Sequence, residues 1–398
     1  MLRAGHGLML IVVGLLTLGV VMVTSAGLTV HPASGGDDLG FFEVLVSRPA
    51  IFAALAVVLM AIGSRVPVGR LCTGGGIACP VPWMAAGIVL LLLAVHVPGL
   101  GREMNGARRW IALGPIGFQP SEAAKWGMLA VLAWYGARRA ERMGWIREGF
   151  LIPMAFVAVV CVLIVTEDLG TAVLILLVSL AVLYAAGTRL WQIALLLPFI
   201  AAGFAAAVVA SPYRVDRLRA FLDPYEDPQG IGYHVLQSMA AVSGGGLAGR
   251  GLGNGIQKFG YLPEDTTDFI FAVICEELGI VGAAIVVCLY LALLLCGFSI
   301  IRRVEQPFQR LLGFGILLTI GLQALVNLLV VTGLAPTKGI ALPLVSAGGT
   351  GWCLTAFSVG LLVSMERAGV REGAIAEAPA HCREADGPPG EIVAGEVM

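Results

Sequence analysis

Apolar runs of about 20 residues, the length that spans a bilayer as a helix, alternate with short polar segments along the chain. The pattern predicts ten spans, at residues 8–28, 44–64, 81–98, 120–137, 150–166, 170–187, 190–210, 268–301, 308–332 and 345–365. We expect an all-α membrane protein, a polytopic bundle of about ten transmembrane helices. A large extracytoplasmic loop, residues 211–267, separates spans 7 and 8.

Composition supports the same class of protein. Of 398 residues, 58% are hydrophobic and 13% are charged, whereas soluble domains carry about 25% charged residues. The first apolar run is longer than the roughly 7–15 residues of a signal-peptide core, so we expect an uncleaved span. We predict one membrane domain at residues 1–371 and a disordered cytoplasmic tail, rich in Ala, Gly, Pro and Glu, at residues 372–398.

The distribution of Lys and Arg predicts the orientation. Loops on one side of the predicted bundle are rich in Arg, which places both termini in the cytoplasm and the chain in the plasma membrane. Several basic residues nevertheless lie in the predicted outer loops: Arg102, Arg108, Arg109, Arg214, Arg217, Arg219, Arg250 and Lys258. Two explanations fit them, an anionic ligand at the outer face or attraction to anionic lipid headgroups.

Two motifs resemble sites but lack the required spacing. Six residues separate Cys72 from Cys79 and no second ligand pair follows them, so we interpret the eight cysteines as structural thiols rather than a zinc site. The glycines at 249–255 follow no predicted strand, which excludes a dinucleotide-binding fingerprint. Their backbone N–H groups could still approach an anion.

The segment at residues 105–125 joins a basic loop to a helix start. Arg108 and Arg109 could bind phosphate oxygens, and Trp110 could stack on a sugar. Alternatively, the Trp anchors the headgroup layer and an Arg pairs with Glu. Pro120 and Glu122 are typical of the first turn of a helix.

Five carboxylates lie between residues 264 and 277, where a polar loop enters an apolar helix. A continuous helix from Asp268 to Ile301 would be about 51 Å long, more than the membrane core requires. We therefore expect Glu276 and Glu277 to support structure at the outer interface. Asp268 should lie at the mouth of an outward cavity, wet enough to stay ionised; alternatively, it is only a helix N-cap.

Two other outer segments contain polar groups. Residues 332–350 are Gly- and Pro-rich, and such backbone at membrane depth is stable only when it is buried or lines a cavity. Its single lysine, Lys338, again indicates an anion. Residues 213–228 are rich in both acidic and basic residues, and we interpret most of them as a solvated, salt-bridged loop helix.

Taken together, these motifs resemble the SEDS (shape, elongation, division and sporulation) family. The matching segments are Asn105-Gly-Ala-Arg-Arg-Trp110-Ile, Gln119-Pro-Ser-Glu122, Asp168-Leu-Gly-Thr-Ala172, Ala220-Phe-Leu-Asp-Pro224, Gly232-Tyr-His-Val-Leu-Gln-Ser238, Gly251-Leu-Gly-Asn254, Tyr261-Leu-Pro-Glu264, Thr267-Asp-Phe-Ile-Phe-Ala272, Glu276-Glu-Leu-Gly279, Pro336-Thr-Lys-Gly339 and Ser346-Ala-Gly-Gly349. The Pro336–Gly339 motif is closer to the FtsW branch than to the RodA branch. Three positions in two motifs depart from the family pattern: Ala347 and Thr350 around the last motif, and Thr266 in place of a common His.

The resemblance implies a peptidoglycan glycosyltransferase that polymerises lipid II, with septal wall synthesis as its expected role. Asp268 falls on the family's essential carboxylate and Trp110 on its functional Trp. The implied partners are a class B penicillin-binding protein, other divisome or elongation proteins and the membrane, with no nucleic acid. Candidate substrate-binding residues are Arg108, Arg109, Trp110, Glu122, Lys125, Lys258, Glu264, Lys338 and Ser346.

The resulting hypothesis makes Asp268 a general base, or the group that positions the acceptor sugar, while Arg108, Arg109 and Lys338 neutralise the departing pyrophosphate. A divalent cation, Mg²⁺ or Mn²⁺, could share that task, although no ligand cluster dictates one. Two rival functions stay open. A flippase for the same lipid would place charged pairs deep in several spans. A non-enzymatic scaffold for the penicillin-binding protein would tolerate charge substitutions in the outer loops.

Overall fold

A computed structural model of the chain describes residues 4–27, 46–72, 79–97, 100–104, 107–113, 116–256, 262 and 264–377. Its α-helices are α1 Ala4–Gly27, α2 Arg48–Gly63, α3 Pro80–Ala94, α4 Pro120–Arg138, α5 Ile152–Val165, α6 Leu169–Ala185, α7 Leu190–Val209, α8 Pro212–Leu222, α9 Tyr233–Gly244, α10 Ile270–Ile301, α11 Pro307–Val331 and α12 Gly349–Glu377. A π-helical turn, Ile146–Leu151, leads into α5.

Helices lie at all ten predicted positions, as α1 to α7 and α10 to α12, and the chain is a polytopic helical membrane protein. Five segments are long and apolar enough by themselves to cross a membrane, and α2, α3 and α6 are shorter apolar helices. The last helix ends at Glu377, beyond the predicted domain boundary at residue 371. The rest of the predicted tail lies outside the described residues.

Close packing of small residues joins the helices at the centre of the bundle. Helix α2 packs closely against α12, where a Cβ on Gly63 would lie 2.5 Å from the carbonyl oxygen of Phe357. A Cβ on Gly360 would lie 2.3 Å from the carbonyl oxygen of Met60. Small residues let helices approach to backbone contact inside a membrane. Helix α7, by contrast, buries only Gln192, so nearly all of its surface is left to lipid.

A small antiparallel sheet occupies the loop between α3 and α4. Its strands are β1 Gly101–Met104, β2 Ala107–Leu113 and β3 Ile116–Phe118, in the order β1-β2-β3. Trp110 pairs with Arg102, and its ring contacts the position where a Cβ on Gly117 would stand. The all-α expectation missed this sheet because its strands are too short to show a clear alternation of polar and apolar residues.

The predicted span from Asp268 to Ile301 is not one continuous helix. Helix α10 begins at Ile270 and is broken at Gly279, where φ is 66° and ψ is −161°. Residues 245–256, which we call the clasp, contact the helix at this break. The N–H groups of Arg250 and Gly251 donate to the carbonyl oxygens of Glu276 and Glu277, at 3.0 and 2.9 Å. The clasp therefore supplies hydrogen bonds to the backbone at the helix break.

The two glutamates at the break are buried and bonded to the clasp. Glu276 accepts a hydrogen bond from the N–H of Ile256 at 2.9 Å and lies 3.3 Å from the guanidinium of Arg250. Glu277 accepts from the hydroxyl of Ser25 at 2.9 Å and from the N–H of Gly253 at 3.1 Å. The anion near the Gly249–Gly255 backbone is thus a carboxylate of the chain itself. Both glutamates have the supporting role expected of them.

Helix α8 in the large outer loop is held to the bundle by arginines. The guanidinium of Arg214 donates to the carbonyl oxygens of Val165 at 2.7 Å and Ala207 at 2.8 Å, at the ends of α5 and α7. Only Arg219 shows the expected surface ion pair, 3.9 Å from Asp216. The predicted loop helix is therefore present, with Arg214 docked on the bundle and Arg219 exposed in the expected ion pair.

Candidate functional site

Asp268 lies in a turn, residues 264–269, that leads into α10. The residue at the N-cap position is Phe269, and no side chain caps the helix there, so the N-cap interpretation of Asp268 is wrong. The turn begins at Glu264, whose φ of 56° is unusual for a residue other than glycine. The amide of Asn327, on α11, donates to the carbonyl oxygen of Asp268 at 2.8 Å. The turn is thus fixed from below by a spanning helix.

The non-helical loop at residues 332–348 lies against the Asp268 turn. A Cβ on Gly339 would stand 3.0 Å from Oδ2 of Asp268, so only glycine fits beside the carboxylate without a shift. The N–H of Ala347 donates to the carbonyl oxygen of Thr266 at 2.9 Å. The Gly/Pro-broken backbone expected from the sequence therefore forms one wall of the Asp268 site.

The carboxyl of Asp268 is more enclosed than the sequence suggested. Burial raises its pKa to about 7, and the negative charges of Glu264 and Asp168 act in the same direction. The guanidinium groups of Arg217 and Arg109 oppose this rise in pKa. The expectation of a wet carboxylate that stays ionised is wrong, because near neutral pH this group divides between its two protonation states.

Arg217 is a member of the site that the sequence indicated only as one of several basic residues in the outer loops. Its guanidinium donates to the carbonyl oxygen of Thr337 at 3.2 Å and to the hydroxyl of Tyr213, whose ring centre is 4.4 Å away. These bonds connect α8 to the loop that backs Asp268. Its position one turn after Arg214 on an outer helix was the available signal, since both face the bundle.

His234 is a second residue that the sequence did not single out. Its ring stacks on Phe269, next to Asp268, with centroids 6.2 Å apart and an angle of 22° between the planes. Burial and the charge of Arg217 lower the pKa of His234, and Glu264 raises it. The available signal was its place in the Gly232–Ser238 segment that matches the family, on what the structure shows to be the first turn of α9.

A narrow cleft with a volume of about 20 Å³ lies beside the site, between α3, α5 and the start of α4. Arg109 and Asp168 both line it. Asp168 is buried and accepts hydrogen bonds from the N–H of Thr171 at 3.0 Å and from its hydroxyl at 2.8 Å. The Nε of Arg109 is buried and has no hydrogen-bond partner within the described parts of the chain. Arg109 is therefore available to an anion in the cleft.

Lys338 contributes a further positive charge at the same place. It is half-buried, with Nζ 5.3 Å from the centre of the Phe204 ring. Burial lowers the pKa of Lys338, while Asp168 raises it. The interaction with Asp168 places Lys338 near the wall of the cleft, as expected for a residue that meets an anion.

Two of the expected substrate-binding residues form a buried pair instead. Lys125 is 3% exposed and donates to Glu122 and to Gln323, both at 2.8 Å. Its ammonium also lies 5.3 Å from the centre of the Trp126 ring. A lysine with these partners is not accessible to a ligand, so Lys125 and Glu122 lie within the helix bundle rather than in the cleft.

Ser346 is likewise unavailable. It is 1% exposed, and its hydroxyl accepts a hydrogen bond from the N–H of Leu342 at 2.7 Å. The expectation that it binds substrate does not fit this turn. Glu264 is exposed and accepts a hydrogen bond from the hydroxyl of Thr267 at 2.7 Å. Lys258 and the side chain of Arg108 lie outside the described residues.

The described residues contain no group of three or more His, Cys, Asp or Glu side chains that could hold a metal ion. The six cysteines that the structure describes are free thiols. Two carboxylates, Glu167 and Asp168, line the cleft, and Asp168 already accepts a hydrogen bond from Thr171.

Comparisons with known proteins agree with this architecture. The profile of the FtsW, RodA and SpoVE family, described as cell cycle proteins, matches residues 6–369. The chain belongs to this family. Among FtsW relatives, a probable peptidoglycan glycosyltransferase of Thioalkalivibrio sulfidiphilus is 39% identical over 375 residues, covering 93% of this chain and 91% of that protein. A probable peptidoglycan glycosyltransferase FtsW of Geobacter sulfurreducens is 37% identical, covering 90% and 94%.

Solved structures of the FtsW, RodA and SpoVE family have the same fold. A chain of a peptidoglycan synthase complex, studied for how polymerization and crosslinking are coordinated, superposes with a TM-score of 0.72 at 31% identity. The alignment covers 91% of this chain and 97% of that one. The rod shape determining protein RodA of Thermus thermophilus gives a TM-score of 0.63 at 27% identity, with 91% and 96% covered.

Proposed function

We propose that this chain is a peptidoglycan glycosyltransferase that polymerises lipid II at the outer face of the plasma membrane, for septal wall synthesis. The observation that carries the proposal is the setting of Asp268, a partly enclosed carboxyl with a pKa of about 7 beside guanidinium groups. FtsW relatives that match the chain over most of its length bear the name of this activity. The FtsW-like match also supports the division role.

The proposed reaction forms one glycosidic bond and breaks one bond to phosphate. The 4-hydroxyl oxygen of the acceptor sugar attacks the anomeric carbon of the lipid-linked donor, and undecaprenyl pyrophosphate leaves with the bonding electron pair. Asp268 accepts the hydroxyl proton in the ionised state. A base whose pKa lies near the working pH is well suited to this step, because it is substantially ionised yet still basic.

Positive charges beside the site would stabilise the leaving group. Arg109 lines the cleft, and Lys338 lies close to Asp168 in the cleft wall. One guanidinium group can bind two phosphate oxygens at once. Positive charges beside the leaving group lower the activation barrier, because negative charge develops there in the transition state. Arg108 belongs to the same proposal through its neighbouring position in β2, and Trp110 through the sugar that it could stack on.

A divalent cation, Mg²⁺ or Mn²⁺, is also proposed, held by pyrophosphate oxygens together with one or two carboxylates, as Mg²⁺ usually is at phosphate sites. The orientation that follows from the reaction puts both termini in the cytoplasm and the Asp268 turn outside. The resemblance to a chain of a peptidoglycan synthase complex supports a penicillin-binding protein as partner.

Polymer formation by the purified protein tests the proposal. The protein is incubated with lipid II in the presence and absence of a class B penicillin-binding protein, and glycan strands are separated by size. We expect strands in at least one of the two conditions. Leaflet-resolved transport of lipid II without polymer in either condition would favour the flippase instead. Neither polymer nor transport, with the penicillin-binding protein still bound, would favour the scaffold.

A further inference from the structure

The side-chain amide of Asn327 joins two segments that are far apart in the sequence. Asn327 is 1% exposed and lies on α11, one of the spanning helices. Its Nδ2 group carries two hydrogens, and it donates to the carbonyl oxygens of Asp268 and Ile340, both at 2.8 Å. One amide therefore connects the Asp268 turn to the loop at residues 332–348.

The second of these bonds is next to the place where the loop meets the carboxylate. Gly339, whose Cβ would stand 3.0 Å from Oδ2 of Asp268, directly precedes Ile340 in the chain. Fixing the Ile340 carbonyl therefore fixes the backbone beside the carboxyl group. One nitrogen atom therefore holds both the carbonyl of Asp268 and the wall beside its carboxylate, in addition to the bond from the N–H of Ala347 to Thr266.

The residue one turn earlier on α11 holds the next carbonyl of the same loop. Nε2 of Gln323 donates to the carbonyl oxygen of Ala341 at 2.8 Å, and Oε1 of Gln323 accepts from Lys125 at 2.8 Å. Residues four apart on a helix share one face. Helix α11 thus presents a polar face to the loop, and Asn327 is the member of that face that also reaches Asp268.

We propose that Asn327 is a positioning residue for the reaction, which sets the placement of the Asp268 carboxyl relative to the loop that backs it. The inference rests on the proposed glycosyltransferase function and adds to it a residue that does not touch substrate. Misplacement of a catalytic group by about 1 Å can lower a rate about 100-fold. Substitution of Asn327 should therefore affect turnover more than substrate binding.

The environment of the Asn327 amide oxygen determines which substitutions test the proposal. Oδ1 is buried and has no hydrogen-bond partner among the residues that the structure describes. The amide is held by its donors alone. Asn327→Asp keeps the shape of the side chain but turns the donor nitrogen into an oxygen that faces two carbonyl oxygens. Asn327→Leu removes both donors without adding a charge.

The test compares polymerisation kinetics of the purified full-length variants at equal amounts of folded protein. Thr319→Val is the matched control, because Thr319 lies on the same helix and its hydroxyl bonds only to the Gly315 carbonyl oxygen of that helix, at 2.7 Å. We expect Asn327→Leu and Asn327→Asp to lower kcat by about 10- to 100-fold, with KM for lipid II changed less than about threefold. The control should keep a kcat close to that of the wild type.

Two kinetic results would overturn the inference. One is a kcat near the wild-type value in a folded Asn327→Asp or Asn327→Leu variant. The other is a loss that appears only in KM. If the wild type makes no polymer under any condition, the proposed function fails. The positioning role is then tested by protein stability instead of by catalysis. The change in Tm caused by Asp268→Asn is then measured at pH 5 and at pH 8.5. It is measured once in the wild-type protein and once in the Asn327→Leu variant.

The difference between the Tm changes at the two pH values reports the environment of the Asp268 carboxyl. We expect this difference to be smaller in the Asn327→Leu variant, because a released turn exposes the carboxyl to water. An unchanged pH dependence would overturn the positioning role even if the protein has no polymerase activity. A polymerase failure and a positioning failure are therefore separate outcomes.

Discussion

Replacing Asp268 by Asn should stabilise the protein, and increasingly so as the pH rises. In the wild type, burial is the main cause that raises the pKa of this carboxyl from 3.8 to about 7. Below pH 3.8 the group is protonated in both the folded and unfolded states and has no effect. Between pH 3.8 and about 7 the unfolded state loses its proton while the folded state retains it, so the free energy of unfolding falls as pH rises.

The size of the effect follows from the shift in pKa. Each pKa unit corresponds to about 1.4 kcal/mol, so the ionised carboxyl costs the folded state about 4 kcal/mol once the pH exceeds 7. At pH 5 the same reasoning gives a cost of about 2 kcal/mol. Asn has nearly the same shape and never ionises, so Asp268→Asn removes this cost. The variant should gain about twice as much stability at pH 8.5 as at pH 5.

Thermal unfolding in one detergent, at pH 5 and pH 8.5, measures this difference. Asp223→Asn is the matched control, because Asp223 is exposed and an Asn side chain keeps the oxygen that accepts from the N–H of Tyr225. We expect the rise in Tm caused by Asp268→Asn to be larger at pH 8.5. A rise that is equal at both pH values, or a fall in Tm at pH 8.5, would refute the burial of this carboxyl.

Three further predictions concern neighbouring features. Gly279→Ala introduces a side chain at a φ of 66° and should lower stability by at least about 1–3 kcal/mol in thermal unfolding. Gly87→Ala is its control, because a Cβ there meets nothing within 4 Å. Equal Tm values for the two variants would contradict the helix break at the clasp. Arg217→Gln removes a charge that lowers the pKa of Asp268, so the pH at which polymerisation reaches half its maximum should rise; an unchanged midpoint would argue against their interaction. Lys125→Met leaves a buried glutamate without its cation and should cost about 3–5 kcal/mol in chemical unfolding, whereas a variant as stable as the wild type would show that the pair contributes nothing.

The spans could be predicted from the sequence because each requires only length and the absence of charge. That is a local property, and a helix lies at each of the ten predicted positions, although five segments alone are both long and apolar enough among the residues that the structure describes. The break in α10 could not be predicted in the same way. Gly279 takes its conformation because residues 245–256 enter the helix there, and that contact joins segments that are distant along the chain.

The site was predictable in part for a similar reason. Asp268 and Arg109 stand out by residue type and position, and both contribute to the site. The burial of Asp268 depends on Gly339, and the charge beside it on Arg217, which come from two other loops. Lys125 and Ser346 were expected to bind substrate because their types suit an anionic sugar, but packing gives both of them partners within the protein.

The measurement that tests the central claim most directly is the pH–rate profile of lipid II polymerisation by the wild type beside the Asp268→Asn variant. Both proteins are first shown to be folded by thermal unfolding. The account predicts that the wild-type rate rises with pH through a midpoint of about 7, as the Asp268 carboxyl loses its proton, and that Asp268→Asn makes no polymer at any pH. A folded Asp268→Asn variant that polymerises lipid II with the wild-type profile would contradict it.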